Sequence, residues 1–220
     1  MYTTPGLRER KKALTRRAIS DVATRLFMER GFDAVTIAEV ADAAGVSIKT
    51  VFNYFGSKEE LFLDREGEVR DAIVTAVAGR PDGVSVTGAL VPPLADRFVP
   101  GGEGWSELAD PERYRALRRF LETWHASEGL RGRVLLSGER LGDDLAAVVA
   151  RSRGLAADDD DVRAFAAMLV AAMALRRRAL TEGVLGGLPA TEVEARTRAV
   201  TLSALAAAAR AFPVLDSGGV

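Results

Sequence analysis

Apolar residues return at intervals of three and four along nearly all of the 220-residue chain, and no strand-like alternation bounded by hairpin turns is sustained, so the pattern predicts an all-α protein. Ala18, Ile19, Val22, Ala23, Leu26 and Phe27 share one face of a helix predicted over Thr15 to Arg30 and stopped by Gly31. Ile37, Val40, Ala41 and Ala44 then define a short helix that Gly45 allows the chain to leave, with Val46 expected to plug the turn into the core. A second short helix through IKTVFNYF turns Val51 and Phe55 inward and leaves Ile48, Lys49, Thr50, Asn53 and Tyr54 outward. Leu61 to Ala78 reads as a connecting helix with Gly67 as its candidate bend, closed by the Pro81 to Gly83 turn. Pro92 and Pro93 are expected to interrupt the next apolar segment, and residues 100 to 105 to form a loop. Asp110 and Pro111 open a helix through Trp124, Leu130 to Arg153 forms another, and Asp161 to Glu182 and Thr191 to Ala211 form the last pair. No internal repeat is evident.

The capping residues sharpen this reading between Thr36 and Phe62. Thr36 and Glu39 form a T-x-x-E capping box, Ser47 is an N-cap for the second helix, and Ser57 with Glu60 predicts a further box directly after Gly56. Two short helices held at an angle by a glycine turn are the pattern of a helix-turn-helix DNA reader. The outward residues have the matching chemistry. Lys49 serves a guanine edge or a phosphate, Thr50 donates or accepts, Asn53 makes a paired contact with adenine, and Ile48 touches a thymine methyl, while Tyr54 and Lys58 suit the backbone.

Charge adds a second signal. Residues 1 to 20 hold Arg8, Arg10, Lys11, Lys12, Arg16 and Arg17 against Glu9, a local +5 in a chain of net −1, so the remainder sums to −6. A basic arm beside a helix-turn-helix releases counterions from DNA, and such arms enter minor grooves; Arg8, Arg10, Lys11 and Lys12 are the phosphate candidates here. No apolar run follows these charges, so a secretion signal is not expected. MLVAAMAL is stopped by Arg176, Arg177 and Arg178, short of a membrane span, and a cytoplasmic protein is the expectation.

Other chemistry is poorly supplied. The chain has no cysteine, which removes disulfides, thiolate metal sites and a cysteine nucleophile, and His125 is the only histidine, which leaves little for a triad or a multi-His metal site. Asp158 to Asp161 precede an apolar helix and suit its positive end rather than a cation, Arg176 to Arg178 suit pairing with acids, and GGEG at 101 to 104 lacks the setting of a nucleotide loop. No enzymatic activity, metal or cofactor is expected. The two Ala-rich last helices carry apolar residues on more than one side, which calls for a second cover. Paired across a two-fold axis they would make a four-helix homodimer interface from Phe165, Leu169, Ala172, Val200, Ala204, Leu205 and Ala208.

From Thr15 to Phe62, including ATRLFMERGFDAVTIAEVADAAGVS and YFGSKEELF, the chain resembles the N-terminal domain of the tetracycline-repressor (TetR) family of bacterial transcription regulators. The resemblance implies base reading by Ile48, Lys49, Thr50 and Asn53 and phosphate holding by Thr36, Ser47, Tyr54 and Lys58. Two positions depart from the family. Phe52 replaces a frequent phosphate-binding tyrosine and has no hydroxyl to donate, and Ala38 lacks the long side chain some members extend to a base. The resemblance also implies a three-helix DNA-binding domain over residues 1 to 62, joined to a helical effector-binding and dimerisation domain over 63 to 220. Effector-pocket candidates are Phe98, Trp105, Tyr114, Leu117, Phe120, Leu121, Trp124, Met168 and Met173, with Arg118, Arg119, Glu122 or His125 as polar contact. The expected function is a homodimeric repressor on a palindromic DNA operator, released by a small, largely apolar ligand. The competing expectation is an effector-independent architectural or nucleoid DNA-binding protein.

Overall fold

A computed structural model describes residues 6–64, 66–97 and 104–218. Its helices are α1 (Leu7–Arg30), α2 (Ile37–Ala43), α3 (Ile48–Tyr54), α4 (Lys58–Phe62), α5 (Glu66–Ala78), α6 (Val86–Ala95), α7 (Pro111–Ala126), α8 (Glu128–Arg153), α9 (Asp160–Leu185), α10 (Ala190–Ala211) and α11 (Pro213–Asp216), with a 3-10 turn at Trp105–Ala109. The described residues are all-α, with one isolated bridge between Arg97 and Gly104. The chain divides into two compact units, Met1–Asp64 with Glu122–Arg133, and Arg65–Leu121 with Val134–Val220. The first unit thus takes the end of α7 and the start of α8, a segment expected in the second.

In the first unit α1 packs on α2 and α4 through Ile19, Ala23 and Phe27, all buried. Phe27, Phe32 and Phe62 form a three-ring cluster with centroids 5.1 to 5.7 Å apart. Ser127, also buried, opens α8: its hydroxyl accepts from the Leu130 amide at 3.4 Å and donates to Asp33 Oδ1 at 3.5 Å, and Leu130 is fully enclosed. The helix predicted over Leu61 to Ala78 is two helices. Leu63 closes α4 by donating its amide hydrogen bond to the Glu59 carbonyl, and Gly67, the expected bend, lies within α5. α1 also begins eight residues before the expected Thr15.

The second unit is centred on the α9–α10 pair, against which α6 packs from one side. Ile73, Leu90, Leu94, Leu145, Val149, Phe165, Leu169 and Leu205 belong to one buried cluster. Gly183 lets the pair close at its loop end, because a Cβ there would lie 3.2 Å from Val193 Cγ2. Pro92 and Pro93 do not interrupt α6; they lie inside it. Two prolines remove two helical backbone hydrogen bonds, and anchors at both ends hold the helix against that loss. At its start Ser85 accepts from Gly88, and the buried Asp216 carboxylate takes the Thr87 amide at 2.7 Å and hydroxyl at 3.0 Å. At its end the buried Arg176 guanidinium donates to the Leu94 and Arg97 carbonyls, both at 2.6 Å. Burial pulls the Arg176 pKa down to about 10, with Arg177 adding repulsion.

Candidate nucleic-acid interface

Local chemistry fixes α2 and α3 separately before packing sets their angle. The Thr36 hydroxyl accepts from the Glu39 amide at 3.2 Å while Glu39 Oε2 accepts from the Thr36 amide at 2.8 Å, the full reciprocal box. The Thr36 amide, then the Arg30 guanidinium, hold the Glu39 carboxyl down to a pKa of about 2. α2 ends in a turn at Gly45, whose φ of +66° is the left-handed region that glycine occupies without strain. Val46 is half-buried in that turn. Ser47 then caps α3, accepting from the Thr50 amide at 3.0 Å.

The core side of α3 is Val51 and Phe55, both fully buried. With this side inward, helical spacing puts Asn53 directly opposite the core, Lys49 beside it, and Ile48 with Phe52 along the next edge. All four are exposed. Thr50 is half-buried, and its hydroxyl is 2.8 Å from Ser47 Oγ, so of the base-reading candidates it is the one already held by the fold. Tyr54 is half-buried on the remaining edge.

The phosphate candidates divide in the same way. Thr36 donates its hydroxyl to Glu39, and Lys58 has its ammonium 4.4 Å from the Phe32 ring centroid and 3.5 Å from the Asp33 carbonyl, so both have partners within the unit. Ser57 caps α4, but Glu60 reaches the Gly56 amide instead of that of Ser57, so the second box is open. Arg8, Arg10, Lys11 and Lys12 are exposed on the first turns of α1. These positions are thus helical from Leu7 on, and a helix of about 10 Å diameter does not fit the minor groove, about 6 Å wide, that such an arm was expected to enter, whereas it can lay cations along phosphates. Arg16, counted with the arm by charge alone, is taken inward. It donates to Asp64 at 2.7 Å and to the Tyr54 carbonyl, and lies 4.3 Å over the Phe55 ring. The signal for this was its place one turn before Ile19 on the stripe that continues through Ala23 and Phe27.

The expected effector residues are not brought into one unit. Trp105, Tyr114, Leu117, Phe120, Leu121, Met168 and Met173 belong to the second, Trp124 and His125 to the first, and Phe98 lies outside the described residues. Trp105 is buried and donates to the Ala95 carbonyl at 2.8 Å, and the Tyr114 hydroxyl donates to the Leu188 carbonyl at 2.6 Å. The His125 ring stacks edge-on against Trp124 at 5.4 Å. Of the expected dimer residues, Phe165, Leu169, Ala172, Leu205 and Ala208 are enclosed in this chain's own core, and Val200 and Ala204 are half-buried. The five enclosed side chains leave no surface for a second copy to meet, whereas Val200 and Ala204 keep part of theirs. The exposed apolar residues of α9 include Ala164, Ala167, Ala171 and Leu175, with Arg163 and Arg178 also exposed, and those of α10 include Ala195, Ala199, Leu202 and Ala206, with Arg196, Arg198 and Ser203 also exposed.

Residues 19–64 match the profile described as bacterial regulatory proteins, tetR family. Over 158 residues the chain is 32% identical to the HTH-type transcriptional regulator TcmR of Streptomyces glaucescens, covering 71% of this chain and 68% of that one. The chain belongs to the TetR family. It is therefore a DNA-binding transcription regulator and not an enzyme, and α2 and α3 are the TetR helix-turn-helix. The HTH-type transcriptional repressor AcnR of Corynebacterium glutamicum is 37% identical over 71 residues, 31% of this chain and 38% of AcnR. A TetR-family regulator structure from Mesorhizobium loti aligns over 89% of this chain and 96% of its own, with 22% identity and a TM-score of 0.49. No helix among the described residues is long and apolar enough to cross a membrane.

Proposed function

We propose that this TetR-family chain is a homodimeric repressor that acts in the cytoplasm, reads a palindromic operator in double-stranded DNA with α3, and is released by a small, largely apolar effector. The observation that carries the reading is the sorting of α3, with Val51 and Phe55 enclosed and Ile48, Lys49 and Asn53 exposed. Asn53 and Lys49 supply the base-edge hydrogen bonds and Ile48 an apolar contact, with Thr50 held at the margin. Ser47, Tyr54, Arg8, Arg10, Lys11 and Lys12 serve the phosphates, and Thr36 and Lys58 do so only by exchanging an existing partner. Dimerisation places two copies of α3 at half-sites one helical turn or a multiple apart, through the Ala- and Leu-lined faces of α9 and α10.

The effector would occupy the second unit, where Trp105, Leu117, Phe120, Leu121, Met168 and Met173 offer aromatic and thioether surface. It need only favour a low-affinity state by about 1 to 3 kcal/mol to weaken the operator about 5- to 150-fold. The reading is tested by anisotropy titration of a duplex recovered from a random pool against its scrambled counterpart at near-physiological salt. Affinity at least about a thousandfold tighter for the recovered duplex supports a regulator. Equal affinities with steep salt dependence would show an architectural DNA-binding protein instead.

A further inference from the structure

Phe27, Phe32, Phe55 and Phe62 of the first unit are buried, whereas Phe52 is 53% exposed, and Ile48, one turn earlier on the same edge of α3, is 47% exposed. Single exposed apolar residues are ordinary on any surface. These two differ in being aligned, and in bordering Lys49 and Asn53 on the face proposed to read DNA. Phe52 has no hydroxyl for a phosphate, so its interaction with a duplex is through the ring alone. On the major-groove edges of the four bases the one apolar group is the thymine C5-methyl, and phenyl and aliphatic side chains are its usual partners. Four residues of helix rise about 6 Å, close to two base steps of about 3.4 Å, so both side chains can be served by one run of the operator.

We propose that Ile48 and Phe52 form a methyl-reading edge that selects two thymines about two base steps apart in each half-site, beside the base read by Asn53. The inference rests on α3 being the reading helix. It makes Phe52, a departure from the family's frequent tyrosine, a determinant of operator sequence rather than a lost phosphate contact. Discrimination follows from burial of a methyl group, which other bases do not present at that place, and cytosine at either position would leave the apolar edge against an amino group.

The test uses the full-length protein and a duplex it recovers from a random pool. Each thymine is replaced singly by deoxyuridine, which lacks the C5-methyl and keeps every hydrogen-bonding atom, and affinity is measured at fixed salt. Two positions per half-site are expected to lose about fourfold each, the worth of about one methyl-sized group removed from water. Phe52→Ala should abolish the uracil effect at one of them and Ile48→Ala at the other, while Phe52→Tyr, which keeps the ring, should preserve it. Uracil that is neutral at every position, with the recovered duplex still preferred over its scramble, would overturn the methyl edge and leave α3 as the reader. Failure to recover any preferred duplex would overturn both.

Discussion

Asn53 and Arg16 are both polar residues of the first unit, and the difference between them is their partners. Arg16 is held by Asp64, by the Tyr54 carbonyl and by the face of Phe55, so its role is to fasten α1 to the end of α3. Arg16→Ala is expected to lower unfolding free energy by about 1 to 2 kcal/mol, whereas Arg10→Ala, on the exposed side of the same helix, should stay within about 0.5 kcal/mol; urea unfolding separates them. Glu39 makes an acid-sensitive counterpart. Its carboxyl is lowered from an ordinary 4.5 to about 2, because the Thr36 amide and then Arg30 favour the charged form. Between those values the unfolded chain binds the proton and the folded chain does not, so its stabilising effect is full above about 4.5 and is lost as pH falls toward 2. The gap in urea midpoint between the wild type and Glu39→Gln should therefore narrow over that window, and a constant gap would contradict the capping box as its source.

At the scale of elements, α2, α3 and the long helices α7 to α10 were legible from sequence to within a few residues, and the start of α1, the α4–α5 break and α6 were not. Thr36, Gly45 and Ser47 each solve a local hydrogen-bonding or backbone problem, and a local problem has a local signature, so α2, the turn and α3 were readable residue by residue. The break between α4 and α5 and the prolines within α6 depend on contacts distant in sequence. Asp216 holds the start of α6 from 129 residues away, and no spacing rule over α6 discloses it. Asp216→Ala is expected to leave the Thr87 amide and hydroxyl buried without their acceptor and to lower stability by about 1 to 3 kcal/mol, measured by thermal or urea unfolding. Five of the seven expected dimer-face residues lie in the chain's own core for a different reason. Alanine lies on every side of α9 and α10, so composition cannot separate the side facing α6 from the side left exposed; packing against α6 decides it. Leu169→Ala should thus act on the chain's own core, lowering unfolding free energy by about 2 to 5 kcal/mol.

For the whole molecule, the proposed function links assembly to DNA reading, because one copy of α3 would span only one half-site. Leu175→Glu and Leu202→Glu, at exposed positions of α9 and α10, are expected to give a folded monomer by light scattering with weakened operator binding. A dimer unaffected by both would place the interface elsewhere. If the basic start of α1 meets phosphates, as proposed, it adds affinity without sequence preference, so Lys12→Ala should weaken operator and scrambled duplex alike and reduce the salt dependence by about one counterion per site contacted. The central claim, that the exposed face of α3 reads bases, is tested most directly by recovering bound duplexes from one random pool with the wild type and with Asn53→Ala in parallel at near-physiological salt, then sequencing both. The expected result is a palindromic motif for the wild type and the same motif with preference lost at one symmetric position for the variant. Identical motifs with identical ranking from the two proteins would contradict it.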